Sequence, residues 1–347
     1  MNKYILCNTV KGGGHNAGSK AGNDALRIAM SRGYQFCKLF TAKGTHTTVW
    51  NIVSGFWNTI KLCLRLHKGD IVLLQYPVNR YLMGHLYPML KRAGASIVTL
   101  IHDIDFLRNV PLRDKGVEGM RQLELSLLSQ SDCLICHNSS MIDILKQNGL
   151  SNKMISLELF DYLYDGAPAE RTGDGAVIVA GNLTEKKAGY LYRLQGQAFP
   201  LSLYGSNLGG DFSNANSTYY GSFPPDELIA NLKGDYGLVW DGSETGTCAG
   251  DYGQYLRYNN PHKVSLCLAA GVPVILWKES ALYSFVEKYG VGFGVDALEQ
   301  IDEMMERQDY AALIQNVQAV QEKVRTGSFL AEALEKAEEC FKGKESR

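Results

Sequence analysis

Nothing in this chain approaches the roughly 20 consecutive apolar residues that a membrane-spanning helix needs. The most apolar runs, Ile71–Leu74 and Ile97–Ile101, are short and bounded by turn signals, so they read as buried strands. The start, Met1-Asn2-Lys3-Tyr4-Ile5-Leu6, lacks a signal-type apolar core. From these two absences a cytoplasmic protein is expected, with the inner face of the membrane as the alternative. An excess of one charge sign is missing too. Lys and Arg number 35 against 36 Asp and Glu, a net charge of -1, which offers no broad field for nucleic acid. Any phosphate must be met by local groups. Eight cysteines are scattered, and only Cys133 and Cys136 form a C-x-x-C, with no second pair beside it. In the strand-like DCLICHNSS, residues three apart point to opposite faces, poor geometry for a shared metal. They read as buried reduced thiols. No short internal repeat or low-complexity stretch is present.

The 347 residues suffice for two domains, each with its own core. Strand-like runs at Lys3–Asn8, Asp70–Gln75, Ser96–His102 and Cys133–His137 alternate with helical patterns at Ser19–Arg32, Met83–Ala93, Gly116–Gln130 and Ser140–Asn148. The runs are continuously apolar, as strands covered on both faces should be. The alternation predicts an α/β fold with a doubly wound parallel sheet. The stretch Tyr164–Gly175, rich in Gly, Pro and charge, reads as a linker. A second α/β series follows, with strands at Ala176–Ala180, Leu201–Tyr204, Tyr236–Trp240 and Val272–Leu276. The expected domains are 1–165 and 166–324, with a final helix at about 325–347 crossing back to the first. The apolar, aromatic segment from Thr48 to Leu66 carries interspersed basic residues. It reads as a packed helix, with contact to a membrane surface or an acceptor as the alternative.

The sharpest chemical signal is Asn259-Asn260-Pro261-His262-Lys263 leading into Ala269-Ala270-Gly271-Val272-Pro273-Val274-Ile275. It describes a helix entered at a proline, stopped by a glycine, and followed by a buried strand. A helix start offers free N–H groups and partial positive charge to a phosphate, and Lys263 adds a full charge in its first turn.

This N-P-x-K followed by A-A-G-x-P-V-I resembles the donor-binding helix of the GT-B glycosyltransferases. IHDIDFLR (Ile101–Arg108), GNL (Gly181–Leu183), YYGSF (Tyr219–Phe223) and NNPHK (Asn259–Lys263) resemble a narrower group. That group holds the streptococcal serine-rich-repeat adhesin glucosyltransferases and the bacterial β-1,6-galactofuranosyltransferases. The resemblance implies two Rossmann-like domains with parallel sheets facing across a cleft, and a UDP-sugar donor held mainly by the second. It implies an inverting transfer of a hexose, glucose or galactofuranose, to an acceptor glycan or glycoprotein. No cofactor, metal or nucleic acid is implied, and homo-oligomers occur in the group. Lys187, after the GNL motif with Asn182, would approach the diphosphate. Tyr219, and Tyr204 at the end of a strand, would serve the uridine. Asn259, Asn260 and Lys263 would approach the pyrophosphate. One departure is that Ser265 and Leu266 stand where many GT-B enzymes place a ribose-binding glutamate.

The run Lys11-Gly12-Gly13-Gly14-His15-Asn16-Ala17-Gly18-Ser19-Lys20 lacks the spacing of a P-loop, and no clean G-x-G-x-x-G is present. It reads as a glycine loop opening a helix, with Gly14 and His15 as donor-binding candidates. His102-Asp103-Ile104-Asp105 follows an apolar strand, where the carboxyl ends of parallel strands line a ligand crevice. An inverting transfer needs a base for the acceptor hydroxyl. Asp103 and Asp105 are both candidates, with His102 as partner. Their D-x-D spacing also matches a divalent-metal motif, but no metal is expected here. The polar, glycine-rich 241–256 loop supplies weaker candidates in Asp241 and Tyr255, with Arg257 just beyond it. Two rival functions stay open: a sugar-nucleotide epimerase of the same shape, and a non-catalytic scaffold partner of a glycosyltransferase.

Overall fold

The computed structural model describes residues 1–11, 17–43, 48–77 and 79–342. The chain divides into two compact units. The first comprises Met1–Gly14, Ala21–Leu157 and Phe329–Arg347, the second His15–Lys20 and Glu158–Ser328.

The first unit is built on six parallel strands: β1 (Lys3–Lys11), β2 (Gln35–Lys43), β3 (Ile71–Tyr76), β4 (Ser96–Ile101), β5 (Cys133–Cys136) and β6 (Lys153–Ser156). Their order across the sheet is β2-β1-β3-β4-β5-β6. β3 and β5 are buried along their whole length, because helices cover both faces of a parallel sheet. Ile5, Leu73, Ile97 and Leu134 lie in this core without exposed surface. The helix Ser328–Glu339 packs with this unit through Phe329, Leu330 and Leu334, and Glu338 receives the Lys3 ammonium at 3.0 Å.

The second unit repeats the architecture with β7 (Val177–Asn182), β8 (Leu201–Ser206), β9 (Ser217–Gly221), β10 (Tyr236–Val239), β11 (Val274–Trp277) and β12 (Gly292–Val295). The order is β12-β11-β10-β7-β8-β9, again all parallel. The chain steps outward from β7 to β9, then returns to lay β10 on the other side of β7. This is the doubly wound order, with its reversal between β7 and β10.

Four strands went unread in the sequence: β2, β6, β9 and β12. They are the two edges of each sheet. An edge strand keeps part of its surface in water, so its residues are not a continuous apolar run. β9 is mostly exposed, and β6 buries only Ile155. The Gly-, Pro- and charge-rich 164–175 stretch does not hang loose between the units. The chain enters the second unit at Glu158. Buried Asp235 then gathers the backbone N–H groups of Thr172, Gly173 and Gly175 at 2.9–3.2 Å.

Cys133 and Cys136 are buried free thiols on β5, and burial raises both, Cys133 to about 12. Among the described residues no cluster of His, Cys, Asp and Glu could hold a metal ion, and no helix is long and apolar enough to cross a membrane. The segment after Thr48 is helical over Val49–Cys63 and packs on one side only. Gly55, Thr59 and Leu62 face inward, whereas Trp50 and Trp57 are exposed.

Candidate active site

In an open parallel sheet, ligands bind beyond the carboxyl ends of the strands at the point where strand order reverses. In the second unit that point lies between the end of β7, at Gly181 and Asn182, and the residues after β10, Trp240 and Asp241. The helix His262–Ala269 starts there, entered at Pro261, and Gly271 ends it with φ +79°. Lys263, in its first turn, sends its ammonium to Asp241 Oδ1 at 2.8 Å and to the Trp240 carbonyl at 3.4 Å. Lys187 Nζ stands 3.9 Å from Asp241 Oδ2 and 5.3 Å from the Tyr252 ring centroid. Two cations therefore flank one carboxylate, and the Asp241 side chain is only 8% exposed. The cluster has an excess of positive charge, to which the helix start adds.

Backbone conformation makes room for Lys263. Gly181 has φ +139°, and a Cβ there would sit 3.3 Å from Lys263 Cε. Its register partner on β8, Gly205, also has φ +139°, and a Cβ on it would fall 1.7 Å from the Gly181 carbonyl oxygen. The two glycines are what permit the strand ends and the lysine to meet.

Tyr219, on edge strand β9, is 47% exposed, and its hydroxyl donates to the Gly205 carbonyl at 2.7 Å. Asn182 Oδ1 accepts from Thr184 N and Asn207 Nδ2 at the end of β7. The remaining donor candidates sit differently. Tyr204 has no exposed surface. Its hydroxyl accepts from Lys233 N at 2.9 Å, and its ring stacks on Tyr220. It is a buried residue, because both faces of β8 are covered from Leu201 to Tyr204. Asn260 is buried and donates to the Glu158 carbonyl at 3.1 Å, which ties the segment before the helix to the start of this unit. Asn259 Oδ1 is buried without a hydrogen-bond partner among the described residues. Arg257 pairs with Glu279 and lies over the Trp277 ring, and Tyr255 is buried. Gly14 and His15 fall outside the described residues.

The first unit places a second group of polar residues after β4. His102 Nε2 meets Gln75 Oε1 at 2.8 Å, while the Gln75 amide nitrogen donates to the Gly22 carbonyl. The Gln75 oxygen therefore accepts, Nε2 carries the proton, and the ring's lone pair is on Nδ1. Burial lowers the His102 pKa to about 4, so the ring is neutral at pH 7. Arg108 reaches both acids, Asp103 at 3.2 Å and Asp105 at 3.5 Å. The Arg108 guanidinium thus bridges the two carboxylates. Asp103 is 43% exposed and Asp105 13%.

Beneath this turn lies a residue that the sequence reading missed. Glu124 is fully buried in the helix Gly116–Leu128 and accepts from the Phe106 amide at 2.9 Å and the Tyr76 hydroxyl at 2.8 Å. It fastens the 102–108 turn to the end of β3. Its signal was an acid in the apolar register of Met120, Leu127 and Leu128.

Models of the N-terminal and C-terminal domains of glucosyltransferase 3-like proteins match residues 3–159 and 177–337. The chain belongs to the glucosyltransferase 3-like family. It is 31% identical to the β-1,6-galactofuranosyltransferase WbbI of Escherichia coli K12 over 334 residues, covering 92% of this chain and 94% of that protein. It is 29% identical to glucosyltransferase 3 of Streptococcus gordonii, covering 76% and 75%. Among solved structures, Anabaena HepE in complex with UDP-glucose superposes with a TM-score of 0.59 at 14% identity, covering 98% of this chain and all of that one. Sucrose-phosphate synthase from Thermosynechococcus elongatus gives 0.54 at 12% identity, covering 98% and 95%. The family member described here is a glycosyltransferase with the two-domain α/β fold called GT-B.

Proposed function

We propose that the protein transfers a hexose, glucose or galactofuranose, from a UDP-sugar to a hydroxyl of an acceptor glycan or glycoprotein, with inversion at the anomeric carbon. The observation that carries this reading is the Lys263–Asp241–Lys187 cluster at the strand-order reversal of the second unit. The names of the relatives supply the two donor sugars.

In this reading Lys263, Lys187 and the N–H groups at the start of the 262–269 helix bind the donor diphosphate. The acceptor oxygen attacks C1 of the sugar as the bond from C1 to the diphosphate oxygen breaks. Negative charge grows on that oxygen, and fixed cations are worth most where such charge develops. Tyr219 receives the uridine. Asp103, the more exposed of the two acids, takes the acceptor's proton, and Arg108 orients it. Asp105 stays with Arg108, and neutral His102 supports the turn. No resident cofactor enters the reaction.

The test is a UDP-release assay. Purified protein is given UDP-glucose or UDP-galactofuranose with a GlcNAc- or hexose-terminated acceptor. UDP and a new glycan are expected only when donor and acceptor are both present. Folded protein that releases no UDP across a broad donor panel refutes the proposal. Sugar interconversion without any acceptor would instead establish an epimerase.

A further inference from the structure

The helix Val49–Cys63 offers solvent a face that its own unit does not use. Trp50, Val53, Trp57, Ile60 and Leu64 follow one another at spacings of three and four, which sets them in a single stripe. All five are exposed, Trp50 at 80% and Leu64 at 82%. Tyr81, at 64%, extends the stripe onto the neighbouring helix Arg80–Arg92 by an edge contact with Phe56. The opposite face is firmly seated. Asn51 and Asn58 donate to carbonyls of β2, and a Cβ on Gly55 would fall 2.6 Å from Leu82. The apolar stripe is therefore a built surface, contiguous beyond the scattered apolar residues that any protein exposes.

Its electrostatic surroundings identify the occupant. Between Asp24 and Asp103 the sequence holds ten lysines and arginines and one acid, although Arg32 and Lys91 are paired with Glu335 and Asp132 from outside that stretch. The single acid, Asp70, is buried and bound to the amides of Asn2 and His67. Lys61 lies over the Trp57 ring, with its ammonium 5.6 Å from the centroid, and Arg65 follows one turn later. Tryptophans between an apolar stripe and flanking cations suit the headgroup layer of a bilayer, where an indole rests half in water and Lys and Arg meet anionic lipid. We propose that this face docks the first unit on a bilayer rich in anionic phospholipid, with the helix lying in the plane of the headgroups.

Sedimentation of the full chain with vesicles tests this apart from any transfer chemistry, so its outcome is separable from that of the UDP-release assay. Vesicles of phosphatidylglycerol and phosphatidylethanolamine should bind the protein at least about tenfold better than phosphatidylcholine vesicles, and more weakly as salt rises. Tryptophan emission should shift to the blue on binding. Trp50→Ser/Trp57→Ser should abolish binding while keeping the thermal transition, since both side chains are exposed. Lys61→Ser/Arg65→Ser should weaken it about 30-fold, two charges at roughly a factor of five each. Absence of binding to the anionic vesicles overturns the proposal, as does undiminished binding by the tryptophan variant. If the wild type is an oligomer that the tryptophan variant breaks, and no vesicle binding is seen, the face belongs to a second copy and the proposal fails.

Discussion

Lys263 and Asp241 form an ion pair, Nζ to Oδ1 at 2.8 Å, with 14% and 8% of their side chains exposed. Where a diphosphate would bind, the protein therefore holds a carboxylate of its own next to the cation. An incoming diphosphate gains Lys263 only by sharing it with Asp241. The two residues should consequently respond in opposite senses to substitution.

Lys263→Ala removes a cation from the diphosphate and leaves Asp241 nearly buried with only distant Lys187. UDP affinity should fall by at least about tenfold. Stability should fall by about 3 kcal/mol, the usual cost of stranding one member of a buried pair. Asp241→Asn preserves shape but removes the negative charge that a phosphate would meet, and at the effective dielectric of such sites UDP should bind about tenfold more tightly. Isothermal titration with UDP measures both. Equal affinity in the wild type and both variants would falsify the assignment of this cluster to the donor.

The glycine pair at the strand ends should separate folding from binding. Gly205→Ala drives a Cβ into the Gly181 carbonyl at 1.7 Å, so the variant should lose several kcal/mol and be recovered poorly. Gly181→Ala meets only the flexible Lys263 stem at 3.3 Å, plus the strain of φ +139°. It should cost about 1–3 kcal/mol in stability while displacing Lys263. The check is denaturant unfolding together with UDP titration. A Gly181→Ala protein with unchanged UDP affinity would show that Lys263 does not need this passage.

What the sequence made legible divides along solvent. The eight interior strands announced themselves as continuous apolar runs, as buried parallel strands do. β2, β6 and β9 stayed silent because each has one edge in water and a mixed pattern, and β12 because it is four residues long and every second one is glycine, although it is mostly buried. Lys263 was legible because a proline-entered, glycine-ended helix states its own boundaries. Asp241 ranked only as a weak loop candidate, since its importance comes from the return of β10 beside β7, a pairing that no local spacing encodes. Tyr204 misled for a related reason. Its neighbours suggest a strand end, yet β8 continues to Ser206 and both of its faces are still covered at Tyr204.

Glu124 should be a positioning residue for the proposed base. Its two hydrogen bonds, to Phe106 N and to the Tyr76 hydroxyl, hold the turn that carries Asp103 and Asp105, and it lies in the other unit from Lys263. Glu124→Gln keeps the size and one acceptor oxygen, so the protein should fold. The expected result is a kcat lowered about tenfold or more with UDP affinity unchanged, because misplacing a reacting group by a fraction of an ångström carries such a penalty. A merely structural role would lower stability and leave kcat intact in the folded fraction. Steady-state kinetics beside UDP titration distinguishes the two.

Two histidines, His137 buried and His102 partly so, should make the protein acid-sensitive well before its carboxylates titrate. Burial lowers His102 to about 4 and His137 to about 3, against an ordinary value of 6.5. Below pH 6.5 the unfolded chain takes up protons on both rings and the folded chain does not, so unfolding gains free energy as pH falls. The stabilisation is complete above pH 6.5 and is lost progressively down to about pH 4 for His102 and about pH 3 for His137. Each contributes a slope of about 1.4 kcal/mol per pH unit in that window. Urea midpoints at about pH 7, 6 and 5 should fall accordingly, and His102→Gln should flatten the slope by the share of one ring. The same low value bears on catalysis. A ring that stays neutral down to about pH 4 gives no protonation step near neutrality, so kcat should show no histidine-type limb between about pH 5.5 and 7.5 in the folded enzyme. A limb centred near pH 6.5 that disappears in His102→Gln would make the imidazole the base and remove Asp103 from that role.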